Sequence, residues 1–577
     1  MSPYEPTGLL SDPFLQLPDA DGVRVVWFTD IEGGEHRVVL ADGRVFVADD
    51  RAMSRMTDGE RPLRVRRHEA HVHPLPQGRT PYRVESEAEG RVVASDEFTL
   101  APAPPHGAGA RILLTSDHQL AANVGTCMEL AARTLGPVDA VVAVPGSKSI
   151  ANRALVCAAL ADGTSELRNV PPGDDTVAML TCLRRLGIDI DATINDAVHG
   201  AVNDEIEDAV DVIDVIDVVD GRLAVTGRGG ALNAPDGALH AGLAGTTSRF
   251  VTALAALAGA PVTIDGDPPL RSRPFLPLHE ALTQLGVTVT AADRPGHLPV
   301  TVEGPPTGGA VAIRGDISSQ FVTALMLIGP CLPDGLTLQL TSPLVSRPYV
   351  ELTASVMSWF GAGGVTVGDD SIMVAPGRYR QSEVTIEPDA SSASYPMAVA
   401  AVAGGSVEVP GLGARSLQGD ARFAALLSAM GCEVEDSGTG MWVGRAHHQP
   451  LVGIDVDMSE ISDLVPTMAV VAAFATTPTW IRGVGFIRNK ESDRLGDLAR
   501  ELSKAGIDVE ETTDGLVVRP SRPHAATLAT HHDHRLAMAF GVLGAAVDGI
   551  VVEEPDVVTK SWPGFWDVLD ALDRQPA

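Results

Sequence analysis

Aromatic residues make up only 4% of this 577-residue chain, and its five cysteines are scattered with no CxxC pair among them. Cores with so few rings have to be assembled from Ala, Val, Leu and Gly, which favours close approach of helices and strands. Cys127, Cys157, Cys182, Cys331 and Cys432 stand mostly in apolar helical contexts and read as buried reduced thiols, not as a disulfide framework or a metal site. Positive charge is scarce as well: 43 Lys and Arg face 75 Asp and Glu, for a formal net charge of -32. That balance excludes a general nucleic-acid binder, whose affinity comes from clustered bases. An acidic protein that handles small anions must instead gather its few bases into one cleft. No basic and apolar leader opens the sequence and no uninterrupted apolar run approaches membrane-spanning length, so a cytoplasmic protein is expected.

What is present has two textures. Up to about residue 105, alternating runs such as GVRVVWF from Gly22, HRVVLADGRVFV from His36 and PYRVESEAEGRVVASDEFTL from Pro81 are split by Gly, Pro and Asp, the pattern of a small β-sandwich. A Pro-rich joint follows at Ala101-Pro102-Ala103-Pro104-Pro105, and from Arg111 to Val144 the sequence reads as strand, helix, strand. This N-terminal part resembles the fibronectin-like domain and first catalytic strand of purple-acid-phosphatase-type metallophosphoesterases. The resemblance stops at Asp139-Ala140-Val141-Val142, where that family continues to a Gly-Asp metal-ligand turn and this chain has Pro145-Gly146-Ser147-Lys148. Asp117 and His118 are thereby left without the rest of a dinuclear metal site and read as a remnant.

From residue 139 onward one kind of helix start recurs six times: NRALVCAALADG from Asn152, TTSRFVTALAALAG from Thr246, ISSQFVTALMLIG from Ile317, SSASYPMAVAAVAG from Ser391, SDLVPTMAVVAAFA from Ser462 and HDHRLAMAFGVLGAA from His532. Each places small polar residues ahead of an Ala-rich helix that is apolar on most of its circumference, which suits burial. The spacing is roughly 70 residues except for the first interval, about 25 longer, so one supersecondary unit is copied six times. The excess lies in NDEIEDAVDVIDVIDVVD from Asn203, which alternates acidic and β-branched residues and reads as a solvated insertion; it lacks the Gly and terminal Glu of a calcium loop.

The chemistry-bearing residues cluster at these starts. Lys148 does not directly follow a Gly, so Gly146-Ser147-Lys148-Ser149 is not a Walker A loop, but a Lys on a Gly-rich turn into a helix still suits an anion. AGTTSR offers Gly245, a capping hydroxyl on Thr246, and Arg249 near the same face; ISSQ offers Ser318, Ser319 and Gln320; HDHR offers His534 and Arg535. Further polar outcrops are Arg271 and Arg273, Ser346 with Arg347 and Tyr349, Lys490, Glu491 and Arg494 in NKESDRL, and Lys560. Lys490 and Arg494 are four apart and would share one helix face with Glu491 beside them. His531, His532 and His534 invite a metal reading, yet adjacent histidines point apart, and no metal is expected.

GSKSxxNR, AGTxxR, SSQF, LVSxPY, an Asp before an LVPT helix, KESDR, DHR and a late Lys, in that order, resemble the 5-enolpyruvylshikimate-3-phosphate (EPSP) synthase family over about residues 139 to 577. The sister UDP-N-acetylglucosamine enolpyruvyltransferases typically have Lys-Asn where this chain has Lys148-Ser149. The resemblance implies an α/β fold, a two-lobed inside-out α/β barrel of six βαβαββ units. Lobe one would be 139–148 plus 386–577 and lobe two 149–385, with an acidic insertion at about 195–222. Ahead of them stand a fibronectin-like sandwich, 1–105, and a truncated metallophosphoesterase-like segment, 106–138.

The implied reaction transfers the enolpyruvyl group of phosphoenolpyruvate to the 5-hydroxyl of shikimate 3-phosphate, in a monomer that needs no cofactor or metal. By the same resemblance Lys148, Ser149, Arg153, Ser318, Ser319, Gln320, Ser346, Asp463 and Lys490 hold shikimate 3-phosphate. Lys148, Gly245, Thr246, Arg273, Gln320, Arg494, Arg535 and Lys560 hold phosphoenolpyruvate. Asp463 takes the hydroxyl proton, Glu491 protonates the methylene carbon, and Lys148 joins them as a catalytic group. Leu243, Phe250 and Phe486 depart from residues common in the family. The competing reading, an inactive synthase-like scaffold with a binding N-terminal sandwich, conflicts with retention of every candidate ionic residue, because unused buried charge is costly.

Overall fold

The structure, a computed structural model, describes residues 129–191 and 221–572 except 414 and 447, together with 14–16, 23–29, 35–52, 56–58, 61–63, 66–73, 80–88, 91–95 and 98–100. The Pro-rich joint, Asp117, His118, Cys127 and nearly all of the acidic insertion lie outside these residues. The chain divides into two compact units, Met1–Cys127 and Met128–Ala577.

In the first unit, strands Phe14–Gln16, Val23–Thr29, Arg66–Val72 and Asp49–Ala52 form one antiparallel sheet. Arg91–Ala94, Thr80–Ala88, Glu35–Leu40 and Val45–Val47 form another, with Phe98–Leu100 also paired to Thr80–Ala88. Alternation decides what is buried: Val25, Trp27, Ala70 and Val72 of one sheet join Val38, Leu40, Tyr82 and Val84 of the other in a single small core.

The second unit has two cores. One draws on residues between Leu135 and Val144 and between Ala390 and Leu572, the other on residues between Ile150 and Ile386. In each lobe three helices of the recurrent kind fill the interior and three sheets surround them, all four-stranded except one three-stranded sheet in lobe one. A representative repeat runs through strand Leu239–His240, helix Gly245–Ala255, strand Val262–Asp265, helix Leu276–Gln284, and strands Thr288–Ala291 and Val300–Glu303. Its first two strands pair in parallel and the others antiparallel. Small side chains make the arrangement possible: all fourteen residues of helix Ala390–Ala403 are buried, and in helix Lys148–Leu160 everything from Ile150 onward is.

Two repeats exchange their leading strands, which is how the chain passes between lobes. Val138–Val141 pairs in parallel with Gly405–Pro410 of lobe one, whereas Glu383–Thr385 pairs in parallel with Asp162–Arg168 of lobe two. The two crossing segments are stitched together where Ser147 N–H donates to Glu387 O at 2.7 Å and Asp389 N–H to Pro145 O at 2.8 Å. Gly146 is required here, because a Cβ at this position would fall 1.8 Å from Asn169 O.

The expected helix between Arg111 and Val144 is corrected in part. Glu129–Ala131 is a strand, antiparallel to Ile550–Glu553, and it completes a sheet that would otherwise hold only Ala526–Leu528 and Ile550–Glu553. A free sheet edge outweighs the helical propensity of a Glu-Leu-Ala string.

Candidate functional site

The amino ends of five of the six recurrent helices open into one cleft between the lobes, about 800 Å³ of empty space that includes some open solvent. Lys148 enters at the crossing between the lobes; lobe two contributes Ser149, Gly245 and Thr246, and Ser318, Ser319 and Gln320, and lobe one contributes Ser462 and Asp463, and His534 and Arg535. Helix starts carry unpaired N–H groups and partial positive charge, so this wall is suited to anions before any side chain is counted. Arg153, Arg273, Ser346, Lys490, Glu491 and Arg494 also line it. Lys560 reaches the same charge cluster from Pro555–Lys560, its ammonium donating to Leu243 O at 2.7 Å.

The bases are held by carboxylates. Lys148 Nζ lies 2.8 Å from Asp175 Oδ2 and Lys560 Nζ 3.5 Å from Asp175 Oδ1. Glu491 faces Arg494 at 2.7 Å, Arg273 at 3.4 Å and Lys560 at 3.7 Å. Asp463 accepts from Arg535 at 2.7 Å and Arg494 at 3.0 Å, with Lys490 Nζ at 3.9 Å. Arg494 donates further to Asp533, Nε to Oδ2 at 2.6 Å and Nη2 to Oδ1 at 3.2 Å. Six bases thus meet four carboxylates, a positive pocket in a protein whose formal charge is -32.

Burial alone would raise the Asp463 carboxyl, but Arg535, Lys490 and Arg494 outweigh it and hold the group below the usual carboxylate range. Glu491 is likewise held well below that range, burial being overcome by Arg494, Arg273 and Lys560. His534 is pushed well down by burial, then by Lys148 and Arg535, so it is neutral; both of its ring nitrogens are buried without a hydrogen-bond partner.

Several expected residues take places that the sequence pattern did not indicate. Thr246 is not a cap, since the helix begins at Gly245 with Ala244 as its N-cap; its hydroxyl instead accepts from Gln320 Nε2 at 3.1 Å. A Cβ on Gly245 would stand 2.6 Å from Arg273 Nη1, so a larger residue here would push that guanidinium from its place. Lys490 and Arg494 do not share a helix face: Gly485–Asn489 is a 3-10 turn, and the next helix begins only at Gly496. The irregular segment between folds both residues toward Asp463. Arg153 is buried and bound by protein groups, Nε to Thr353 Oγ1 at 2.8 Å, Nη1 to Ser149 O at 2.7 Å and Nη2 to Tyr349 O at 3.2 Å. It therefore braces the cleft wall beneath Ser149.

Of the outcrops, Arg271 and Arg347 lie away from the cleft, paired with Asp265 and with Glu351 and Asp369. The histidine triple is split three ways: His531 pairs with Glu501, His532 with Glu554, and only His534 enters the cleft. The departures are accommodated. Leu243 contributes its carbonyl, Phe250 lies 5.4 Å below the Arg153 guanidinium, and Phe486 lines the cleft.

Sequence reasoning missed Asp175, Asp533 and Asp420 as site carboxylates. Asp533 was visible as the N-cap of the last recurrent helix, accepting from Arg535 N at 2.9 Å. Asp175 follows another acid at an ordinary helix start, and only the fold brings it to Lys148. Asp420 accepts from Ser391 Oγ and, at 3.3 Å, from the Tyr349 hydroxyl of the opposite lobe.

A family model described as EPSP synthase (3-phosphoshikimate 1-carboxyvinyltransferase) matches residues 132–217 and 209–569. The 3-phosphoshikimate 1-carboxyvinyltransferase of Nostoc punctiforme is 38% identical over 432 residues, 74% of this chain and 95% of that protein. The protein of the same name from Methanoculleus marisnigri is 39% identical over 436 residues, 75% of this chain and 97% of its own length. Among solved structures, an EPSP synthase from Acinetobacter baumannii has the same fold, with a TM-score of 0.62 and 23% identity over 77% of this chain and 98% of that one. The match starts only at residue 132, so it leaves the N-terminal strands apart, but with two relatives spanned almost end to end this chain belongs to the EPSP synthase family.

Proposed function

We propose that this chain transfers the enolpyruvyl group of phosphoenolpyruvate to the 5-hydroxyl of shikimate 3-phosphate, releasing phosphate. The observation that carries the reading is the cleft where Lys148, Arg273, Lys490, Arg494, Arg535 and Lys560 converge around Asp463 and Glu491. One substrate brings a phosphate, the other a phosphate and a carboxylate, and several fixed cations with helix amino ends suit that charge.

The residues divide by substrate, each set drawing on both lobes. Ser149, Ser318, Ser319, Gln320 and Ser346, with Lys490, present hydroxyl, amide and ammonium donors to shikimate 3-phosphate, and Arg153 fixes the backbone beneath Ser149. Lys148, Gly245, Thr246, Arg273, Arg494, Arg535 and Lys560 surround phosphoenolpyruvate. Asp463 accepts the proton of the 5-hydroxyl as its oxygen attacks C2. Glu491 gives a proton to C3, so that the double-bond electrons become the new C–H bond of a tetrahedral adduct. Loss of a C3 proton back to Glu491 and departure of phosphate from C2 restore the alkene. Lys148 and Arg273 stabilise charge on the departing phosphate.

The same reading takes the protein as a monomer acting on free small molecules in the cytoplasm. The N-terminal strands read as a fibronectin-like sandwich take no part in the reaction; of the segment read as phosphatase-like, 106–138, residues 129–138 belong instead to the synthase unit, where Glu129–Ala131 pairs with Ile550–Glu553. Phosphorus NMR tests the reading: with both substrates present the phosphoenolpyruvate resonance should give way to inorganic phosphate and a new shikimate-derived phosphate ester. Conversion of phosphoenolpyruvate without shikimate 3-phosphate would refute it.

A further inference from the structure

The proposed reaction needs a proton on Glu491, yet the protein's own cations around it keep that carboxylate charged. Arg494 Nη2, Arg273 Nη1 and Lys560 Nζ stand at 2.7, 3.4 and 3.7 Å from its oxygens. Neutral His534 faces it from the start of helix His534–Ala546, and Lys490 and Arg249 add positive charge from their own elements. The negative charges acting on the same cluster are Asp463 and Asp175, themselves engaged by Arg535 and Lys148. A general acid cannot work from this state.

The cations that hold Glu491 are the same ones that the proposed function assigns to phosphoenolpyruvate. From that coincidence we infer that substrate binding loads the acid: phosphate and carboxylate groups neutralise the positive charge of Arg273, Arg494 and Lys560 around Glu491, which then takes up a proton from solvent. That proton is the one delivered to C3, and elimination returns a C3 proton to Glu491; the 5-hydroxyl proton passes through Asp463 to the departing phosphate, and Glu491 gives its loaded proton back to solvent when the products leave, so the balance closes without a further reactant. The arrangement keeps the acid unarmed until its substrate is in place. This inference rests on the proposed function and adds a proton-linkage requirement to it.

Titration calorimetry of the full-length protein tests it. The protein is saturated with shikimate 3-phosphate and titrated with phospholactate, the saturated and unreactive analogue of phosphoenolpyruvate, near neutral pH in buffers of different ionisation enthalpy. Binding a phosphate to cations sheds any proton the phosphate carries, so uptake has to come from the protein. The expected result is net proton uptake on phospholactate binding, lost in Glu491→Gln and kept in Asp463→Asn. Net release, no exchange, or undiminished uptake in Glu491→Gln would each overturn the inference. Turnover measured in parallel separates the two readings: phosphate release that depends on shikimate 3-phosphate but comes with no uptake refutes acid loading alone, and absence of turnover refutes the transferase reading.

Discussion

Arg494 and Asp533 form an ion pair sealed from solvent, their side chains 2% and 0% exposed and joined at 2.6 Å. The pair fixes the guanidinium so that its remaining donors point at Asp463 and Glu491. Burying two charges is expensive, and the expense is offset only while both partners stay. A preorganised cation that needs no rearrangement during reaction is what a developing negative charge requires.

Asp533→Ala should therefore be among the most damaging substitutions in the chain. It strands a buried cation and removes the N-cap of helix His534–Ala546, and about 3–5 kcal/mol of stability should be lost. Asp533→Asn keeps the cap and should lose less. Urea unfolding of both variants against the parent checks the order.

Lys148→Ala and Arg273→Ala should fold and fail to turn over. Each deletes a preorganised contact to phosphoenolpyruvate, and such a loss costs about 100-fold or more in rate. Near-normal kcat in both variants would contradict the placement of this substrate.

The Asp420 carboxyl is pushed up to about 6 by burial and by nearby Asp463, against the hydrogen bond from Ser391. Its folded value exceeds the unfolded one, so the native state binds more protons between about 4 and 6. Stability from this group is greatest at low pH and falls as pH rises through that window. Asp420→Asn removes the penalty, worth at most about 3 kcal/mol above pH 6, and should be more stable than the parent at neutral pH, with the gap closing toward pH 4. Asp175, Asp463 and Glu491 act in the opposite sense, their stabilisation being lost as pH falls below about 4. Comparing variant with parent by urea unfolding at several pH values isolates Asp420.

Truncation should depend on eleven residues, 128–138. Ala132 N–H donates to Ile550 O and Leu135 N–H to Ala545 O, both at 2.8 Å, and Leu135 is buried. Removing residues 1–127 should leave turnover intact. Removing 1–138 also strips strand Glu129–Ala131 from its sheet and should lower the melting temperature, since burial of Leu135 alone is worth about 2 kcal/mol. Equal melting temperatures would show that the strand contributes nothing.

The repeats were legible because each begins with the same polar-then-apolar string, and in five of the six that string marks a helix whose amino end faces the cleft. Bases were legible too, being rare in an acidic chain. Asp463 and Glu491 were legible beside them, but Asp175, the partner of Lys148 and Lys560, was not, being an ordinary acid until distant segments meet. Glu129–Ala131 escaped for a related reason: its strand state is dictated by an edge more than 400 residues later. Helical spacing misled at Lys490 and Arg494, where an irregular segment does what a helix face was expected to do.

The central claim is most directly tested by phosphate release from phosphoenolpyruvate as shikimate 3-phosphate is added, with and without EDTA. The account predicts no release without shikimate 3-phosphate, saturable release with it, and loss of release in Lys148→Ala. Release without shikimate 3-phosphate, or none at saturating concentrations of both substrates, would contradict it.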